Sequence, residues 1–295
     1  MTPSNATLHT LETPRMRFAY RVQGDPDGLP MLLVHGSFAS SRWWEPFLEV
    51  LPDAVRAIAP DLRGCGGSTH SQEGYEIPEQ AQDLAAFVQA LDLESFDLVA
   101  HAAGGAVAVE YALAHPERIH TLVLVDPPPV EGVFTPLEAL RLLERMRTDR
   151  DLLARALRAL MPAAPPPSME PAAFEAFFER LVEDAFHQAP AAFTGMAEAL
   201  MHWNRFEEVR HLTLPTLLVW GEHDVVVERD AITRTLLAIP GANNLEVLRG
   251  VGHSPMIEAP VVLAERIIEF VTEEYEDYAA IRAEAARSAD ETDPE

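Results

Sequence analysis

The feature that most limits what this chain can fold into is the run Phe96-Asp-Leu-Val-Ala-His-Ala-Ala-Gly-Gly-Ala106. A short apolar stretch, Phe96–Ala100, leads directly into Ala103–His115, which has the composition of a helix. The residues after His101 are all tiny, as a tight strand-to-helix turn requires where neighbouring backbone approaches closely. Short apolar runs bounded by turn residues are buried on both faces, which is the signature of a mainly parallel sheet flanked by helices.

Further runs fit that plan. Met31–Val34 ends in His35-Gly36, Ala54–Ala59 ends in Pro60-Asp61, and Ile119–Val125 runs towards a proline triplet at 127–129. Pro215–Trp220 and Leu245–Leu248 follow much later. With helical patterns such as Pro78–Leu91 between them, these runs imply βαβ units. The segment up to Gly28, with Asp25-Pro-Asp-Gly as its exit turn, reads as an opening antiparallel hairpin. Over residues 127–214 the alternation stops. This stretch reads as four helices, Thr135–Met146, Asp149–Leu160, Pro171–Phe186 and Pro190–Met201, with a joint at Pro162-Ala-Ala-Pro-Pro-Pro-Ser. The expected layout is an α/β core of residues 1–126 and 215–295, with residues 127–214 inserted as a helical cap. Five of the 9 methionines and seven of the 13 phenylalanines fall in the insert, enough to pack its own core and to line a pocket over the sheet edge.

Charge and cysteine content narrow the function. A net charge of −25 excludes a nucleic-acid role, which needs a basic face, and disfavours anionic membranes. The acidic residues after Thr272 read as a solvated helix end. The single cysteine cannot form an internal disulfide, no apolar run is long enough to span a bilayer, and the N-terminus lacks the pattern of a signal peptide. The cytoplasm is the expected compartment. His187, His202, His211 and His223 are scattered without ligand spacing, so no metal is expected. Gly64-Cys-Gly-Gly lacks the Lys-Ser/Thr continuation of a phosphate loop, and Cys65 reads as a small buried side chain.

Five segments stand in an informative order. Ala100-His101-Ala102-Ala103-Gly104 occupies the strand-to-helix turn. His35-Gly36-Ser37-Phe38 follows one strand and Asp61-Leu-Arg-Gly-Cys-Gly-Gly-Ser the next. Gly221-Glu-His-Asp224 follows Leu217–Trp220, and Gly252-His253-Ser-Pro-Met-Ile-Glu-Ala-Pro precedes a closing helix. Together, over residues 17–271 apart from the insert, they resemble the α/β-hydrolase superfamily of serine esterases and lactonases with a helical lid. The resemblance implies a mainly parallel eight-stranded sheet with helices on both faces, and no cofactor.

It also implies roles. The turn corresponds to the family's G-x-S-x-G nucleophile elbow, with Ala102 where the serine belongs. Ala103-Gly104-Gly105 resembles the Ser-x-Gly-Gly esterase type, whereas enzymes with an aspartate nucleophile usually carry a bulky Trp there. Asp224 corresponds to the acid and His253 to the base; Asp126, directly after a strand, is the alternative acid. The N–H groups of Ala103 and of Ser37 or Phe38 would face the oxyanion. Phe38 and Trp203 are the expected substrate contacts, and His101 is expected to be a packed or hydrogen-bonded core histidine.

Ala102 has two readings, a serine replaced in an otherwise working enzyme or a natural pseudoenzyme. The first is favoured, because drift after loss of catalysis should have eroded the acid, the histidine and the oxyanion loop as well. The expected function is hydrolysis of a carboxylic ester or lactone of an apolar small molecule, with this chain nearly inert. General lid character is similar to that of fungal-toxin lactonases. The rivals are a C–C bond hydrolase of ring-cleavage products, for which Arg205 or Arg210 would hold a carboxylate, and a non-catalytic ligand-binding protein. The long closing helix from Val261 leaves a homodimer open.

Overall fold

A computed structural model describes residues 6–273; the acidic tail beyond 273 lies outside the described residues. Eight strands build its centre: β1 (Thr7–Glu12), β2 (Arg17–Gln23), β3 (Leu29–Val34), β4 (Val55–Pro60), β5 (Phe96–His101), β6 (Ile119–Val125), β7 (Thr216–Gly221) and β8 (Ala242–Leu248). They form one sheet in the order β1-β2-β4-β3-β5-β6-β7-β8. The β1–β2 and β2–β4 pairs are antiparallel and the others parallel. The hairpin leaves through a turn in which the Asp25 side chain accepts the Asp27 N–H at 2.9 Å and its carbonyl accepts the Gly28 N–H at 2.9 Å.

Strand periodicity decides what lies on each face. Leu33, Val99, Val123 and Val219 point into one cluster, with Trp43, Phe47 and the buried positions of a helix over residues 260–273. Leu32, Leu98, Leu122 and Leu124 point the other way, into a cluster with the helices α2 (Ile77–Ala90) and α3 (Ala103–Ala114). Leu218 and Trp220 of β7 meet α8 (Arg229–Ala238), the last helix before β8. Each of these buried aliphatic side chains contributes about 1.5–3 kcal/mol relative to exposure. A short helix, α1 (Glu45–Leu48), lies between β3 and β4.

Between β6 and β7 the chain forms α4 (Leu137–Met146), α5 (Arg150–Ala159), α6 (Pro171–Phe186) and α7 (Ala192–His202). Asp149 caps α5 by accepting the Leu152 N–H at 2.9 Å, and Pro171 opens α6, where a missing N–H costs nothing. Met146, Leu153, Phe174 and Phe178 join the first cluster, while Met196, Leu200 and Trp203 join the second. These helices are therefore continuous with the apolar packing on both sides of the sheet. No described helix is long and apolar enough to cross a membrane.

Candidate active site

The strand-to-helix turn is held by close packing. Ala102 has φ 48° and ψ −130°, a backbone conformation that costs a non-glycine residue about 1–3 kcal/mol. Its N–H donates to the Val125 carbonyl at 2.9 Å, and its carbonyl accepts the Gly105 N–H at 2.7 Å. A Cβ at Gly104 would lie 2.3 Å from the His35 carbonyl oxygen, and one at Gly36 would lie 2.8 Å from the Ala102 Cβ. Here is the physical reason for the run of tiny residues: the turn is pressed against the loop after β3.

That loop is fixed by His35. Its Nε2 accepts the Leu62 N–H at 2.9 Å, so Nδ1 carries the proton and donates to the Gly36 carbonyl at 2.8 Å. Burial lowers the His35 pKa, which keeps the ring neutral as this pairing requires. Phe38 takes φ 59°, and its ring meets Phe193 edge-on at 5.7 Å between centroids.

On the other side of the turn stand Asp224 and His253. His253 Nδ1 lies 2.8 Å from Asp224 Oδ2, with both side chains almost wholly buried. Asp224 Oδ1 accepts the Val226 and Val227 N–H groups at 2.6 and 3.1 Å. Burial pushes the Asp224 carboxyl up, but the bond to His253, the charge of that ring and the two backbone donors outweigh it, so its pKa is lowered. Asp126 occupies the end of β6 with φ 47° and accepts the Gly221 N–H through Oδ1 at 2.9 Å. Burial, then the charge of Asp224, raises the Asp126 pKa well above the carboxylate range. The two carboxyls are thus pushed in opposite directions, Asp126 up and Asp224 down.

Ala102, Ala103, Ser37, Phe38 and His253 border one cavity of about 320 Å³. Its far wall is aliphatic, made by Leu143 and Met146 of α4, Leu153 and Leu157 of α5, and Leu200 of α7. No described Arg borders it. One ligating atom each of His101, Asp126 and His253 lie within 4.8 Å of one another, and all three side chains already hold hydrogen bonds.

Residues 31–266 match the model of the alpha/beta hydrolase family. The chain belongs to that family. Among its relatives is monoacylglycerol lipase abhd6-B of Xenopus laevis, 24% identical over 278 residues, which cover 87% of this chain and 79% of the lipase. A solved thermophilic esterase from Thermogutta terrifontis is 26% identical, with a TM-score of 0.74 over 91% of this chain and 99% of the esterase. The enol-lactonase of Burkholderia xenovorans LB400 shares the fold at 17% identity, with a TM-score of 0.76 over 90% of this chain and all of that one.

Within this alpha/beta hydrolase, most of the residues singled out from the sequence meet at the cavity, but Trp203 does not. Its Nε1 donates to Glu110 Oε2 at 3.0 Å, and it borders a separate open groove of about 780 Å³ with Tyr75 and Gly195. The same Glu110 takes Arg205 through both its oxygens, at 2.8 and 3.0 Å. Arg210 is exposed beside Glu207. Neither Arg faces the cavity. Cys65 is buried, and burial pushes its thiol up to about 12.

His101 is the buried, hydrogen-bonded core histidine expected from the sequence: its Nε2 lies 2.7 Å from the His253 carbonyl. Burial lowers its pKa to about 3, so the ring is neutral and donates that bond. Glu258 is buried and accepts N–H groups from both neighbours of His253: Gly252 at 3.1 Å and Ser254 at 3.0 Å. It also accepts the Ala163 N–H, from the segment between α5 and α6, at 2.8 Å. Glu258 escaped the sequence reading: a Glu five residues after His253 and two before a proline was a visible sign, but its three partners were not.

Proposed function

We propose that this protein is built for cofactor-free hydrolysis of a carboxylic ester or lactone of an uncharged, apolar small molecule, with Ala102 standing where the nucleophilic serine acts. The observation that carries the reading is the His253–Asp224 pair at 2.8 Å, in which His253 borders the same cavity as a residue held at φ 48° on the elbow. With a serine at 102, His253 takes the hydroxyl proton and passes it to the leaving group. Asp224 fixes the imidazole tautomer and stabilises its protonated form. The N–H groups of Ala103 and of Ser37 or Phe38 stabilise the tetrahedral oxyanion. The helices between β6 and β7 serve as the cap, and the aliphatic wall from α4, α5 and α7 selects the apolar part of the substrate.

The cavity supports this reading over a C–C bond hydrolase, whose substrates carry a carboxylate, because no described Arg borders it and Arg205 is paired with Glu110. A lipase, an esterase and an enol-lactonase among the similar proteins support the ester and lactone class. The test is Ala102→Ser, assayed on p-nitrophenyl acetate and butyrate and then on a lactone panel. Turnover should rise by about 10⁶-fold over the Ala102 chain and vanish again with His253→Ala. No turnover of any ester or lactone would leave a protein that binds ligands in the cavity without reacting with them.

A further inference from the structure

The acid–base pair is complete in a chain that lacks the nucleophile, and this asks what the pair does alone. His253 Nδ1 faces the Asp224 carboxylate at 2.8 Å, so the proton sits on Nδ1 and Nε2 is the basic nitrogen. No residue described in the structure hydrogen-bonds to Nε2, and the ring borders the cavity. Ala102 borders it too and ends at Cβ, one oxygen atom short of serine. A water beside that methyl group would occupy the space of a serine hydroxyl, within reach of Nε2 and of an ester carbonyl seated against the N–H groups of Phe38 and Ala103. Cys65 is no substitute nucleophile, being buried with its thiol pushed up to about 12.

We propose that the chain in its Ala102 form is a slow, serine-independent esterase in which His253 and Asp224 activate water directly; this rests on the hydrolase reading above. As the water oxygen bonds to the carbonyl carbon, Nε2 takes one of its protons. The carbonyl π electrons move to the oxygen held by the backbone N–H groups. When the tetrahedral intermediate collapses, the C–O bond to the leaving group breaks and the proton on Nε2 goes to the departing alkoxide. The products are the acid, which loses its proton to solvent, and the alcohol. Water is a weak nucleophile, so the substrates are esters with good leaving groups and strained lactones.

The probe is p-nitrophenyl butyrate with the Ala102 chain, beside its His253→Ala, His253→Gln and Ala102→Ser variants. Hydrolysis above buffer is expected from the Ala102 chain, slowed in D2O, insensitive to phenylmethylsulfonyl fluoride and reduced by about 10²-fold or more in both His253 variants. Equal rates in the Ala102 chain and either folded His253 variant would overturn it, as would a rate unchanged in D2O. An acyl adduct on any residue, Ser37 included, would also overturn it, because the step passes through no covalent intermediate. If Ala102→Ser is active while the Ala102 chain is not, this proposal fails and the hydrolase reading stands. If Ala102→Ser is inert as well, the hydrolase reading itself fails.

Discussion

The two sides of the centre hold their backbones by different means. At the β5–α3 elbow the fixing uses no side chain: Ala102 pairs through its backbone with Val125 and Gly105, and the turn is pressed so closely on the loop after β3 that residue 104 has no room for a Cβ. Around His253 the fixing is polar. Glu258 gathers the N–H groups of Gly252, Ser254 and Ala163, and His101 donates to the His253 carbonyl. At the elbow, then, the side chain of residue 102 takes no part in shaping the turn, and the hydroxyl of the proposed serine can be absent while the strained conformation stays. At the histidine loop the bond to Asp224 belongs to the net that seats the ring, so chemistry and structure are harder to separate.

The sharpest break in this contrast comes from the acid. In the Ala102→Ser background, Asp224→Asn should lower kcat by about 10⁴-fold, because the amide presents the wrong partner to Nδ1–H. A loss below tenfold would hand the role to Asp126. Next is Glu258→Ala, which leaves three backbone N–H groups without their acceptor. Urea unfolding should show a loss of about 3 kcal/mol; an unchanged midpoint would mean the polar net does not seat the loop. At the elbow, Gly104→Ala places a methyl group against the His35 carbonyl oxygen and should cost about 1–3 kcal/mol in the same assay.

Ala102→Gly should do the reverse. Glycine tolerates the positive φ of this turn, so a gain of up to about 1 kcal/mol is expected. A loss would show that the elbow is not strained.

The smallest effect concerns Asp126 and depends on pH. Its folded-state pKa is raised by burial and by Asp224, so the neutral acid contributes stability that is complete below the ordinary carboxylate range and fades as pH rises towards the folded value. Asn has nearly the same shape and never ionises. The Asp126→Asn midpoint should therefore gain steadily on the parent as pH rises above about 4. A constant difference across pH would show that Asp126 ionises normally.

Sequence and structure agree best where one segment carries its own geometry. Ile119–Val125 and Pro171–Phe186 have the bounds read from their apolar runs and proline start. The elbow was legible because close packing leaves a compositional trace, five tiny residues in a row from Ala102. Where backbone pairing alone defines an element, the trace fades. The strand β8 begins at Ala242, ahead of the apolar run at Leu245, because Ala242 and Asn244 already pair with β7, opposite Thr216 and Leu217. Side-chain direction was the least legible. Trp203 faces away from the cavity because Glu110, on α3 and distant in the chain, draws its indole N–H outwards. The upward shift of the Asp126 carboxyl comes first from its burial and then from Asp224, and both arise only once the fold has assembled β6 and β7.

The most direct test of the elbow as a nucleophile position is to treat Ala102→Ser and the unaltered chain with a fluorophosphonate ester and weigh each intact and after digestion. The account predicts one phosphonyl adduct per Ala102→Ser molecule, mapped to residue 102, and none on the unaltered chain. Its formation should be strongly slowed by His253→Ala. No adduct at residue 102 in a folded Ala102→Ser protein, or an equal adduct elsewhere in both, would contradict it.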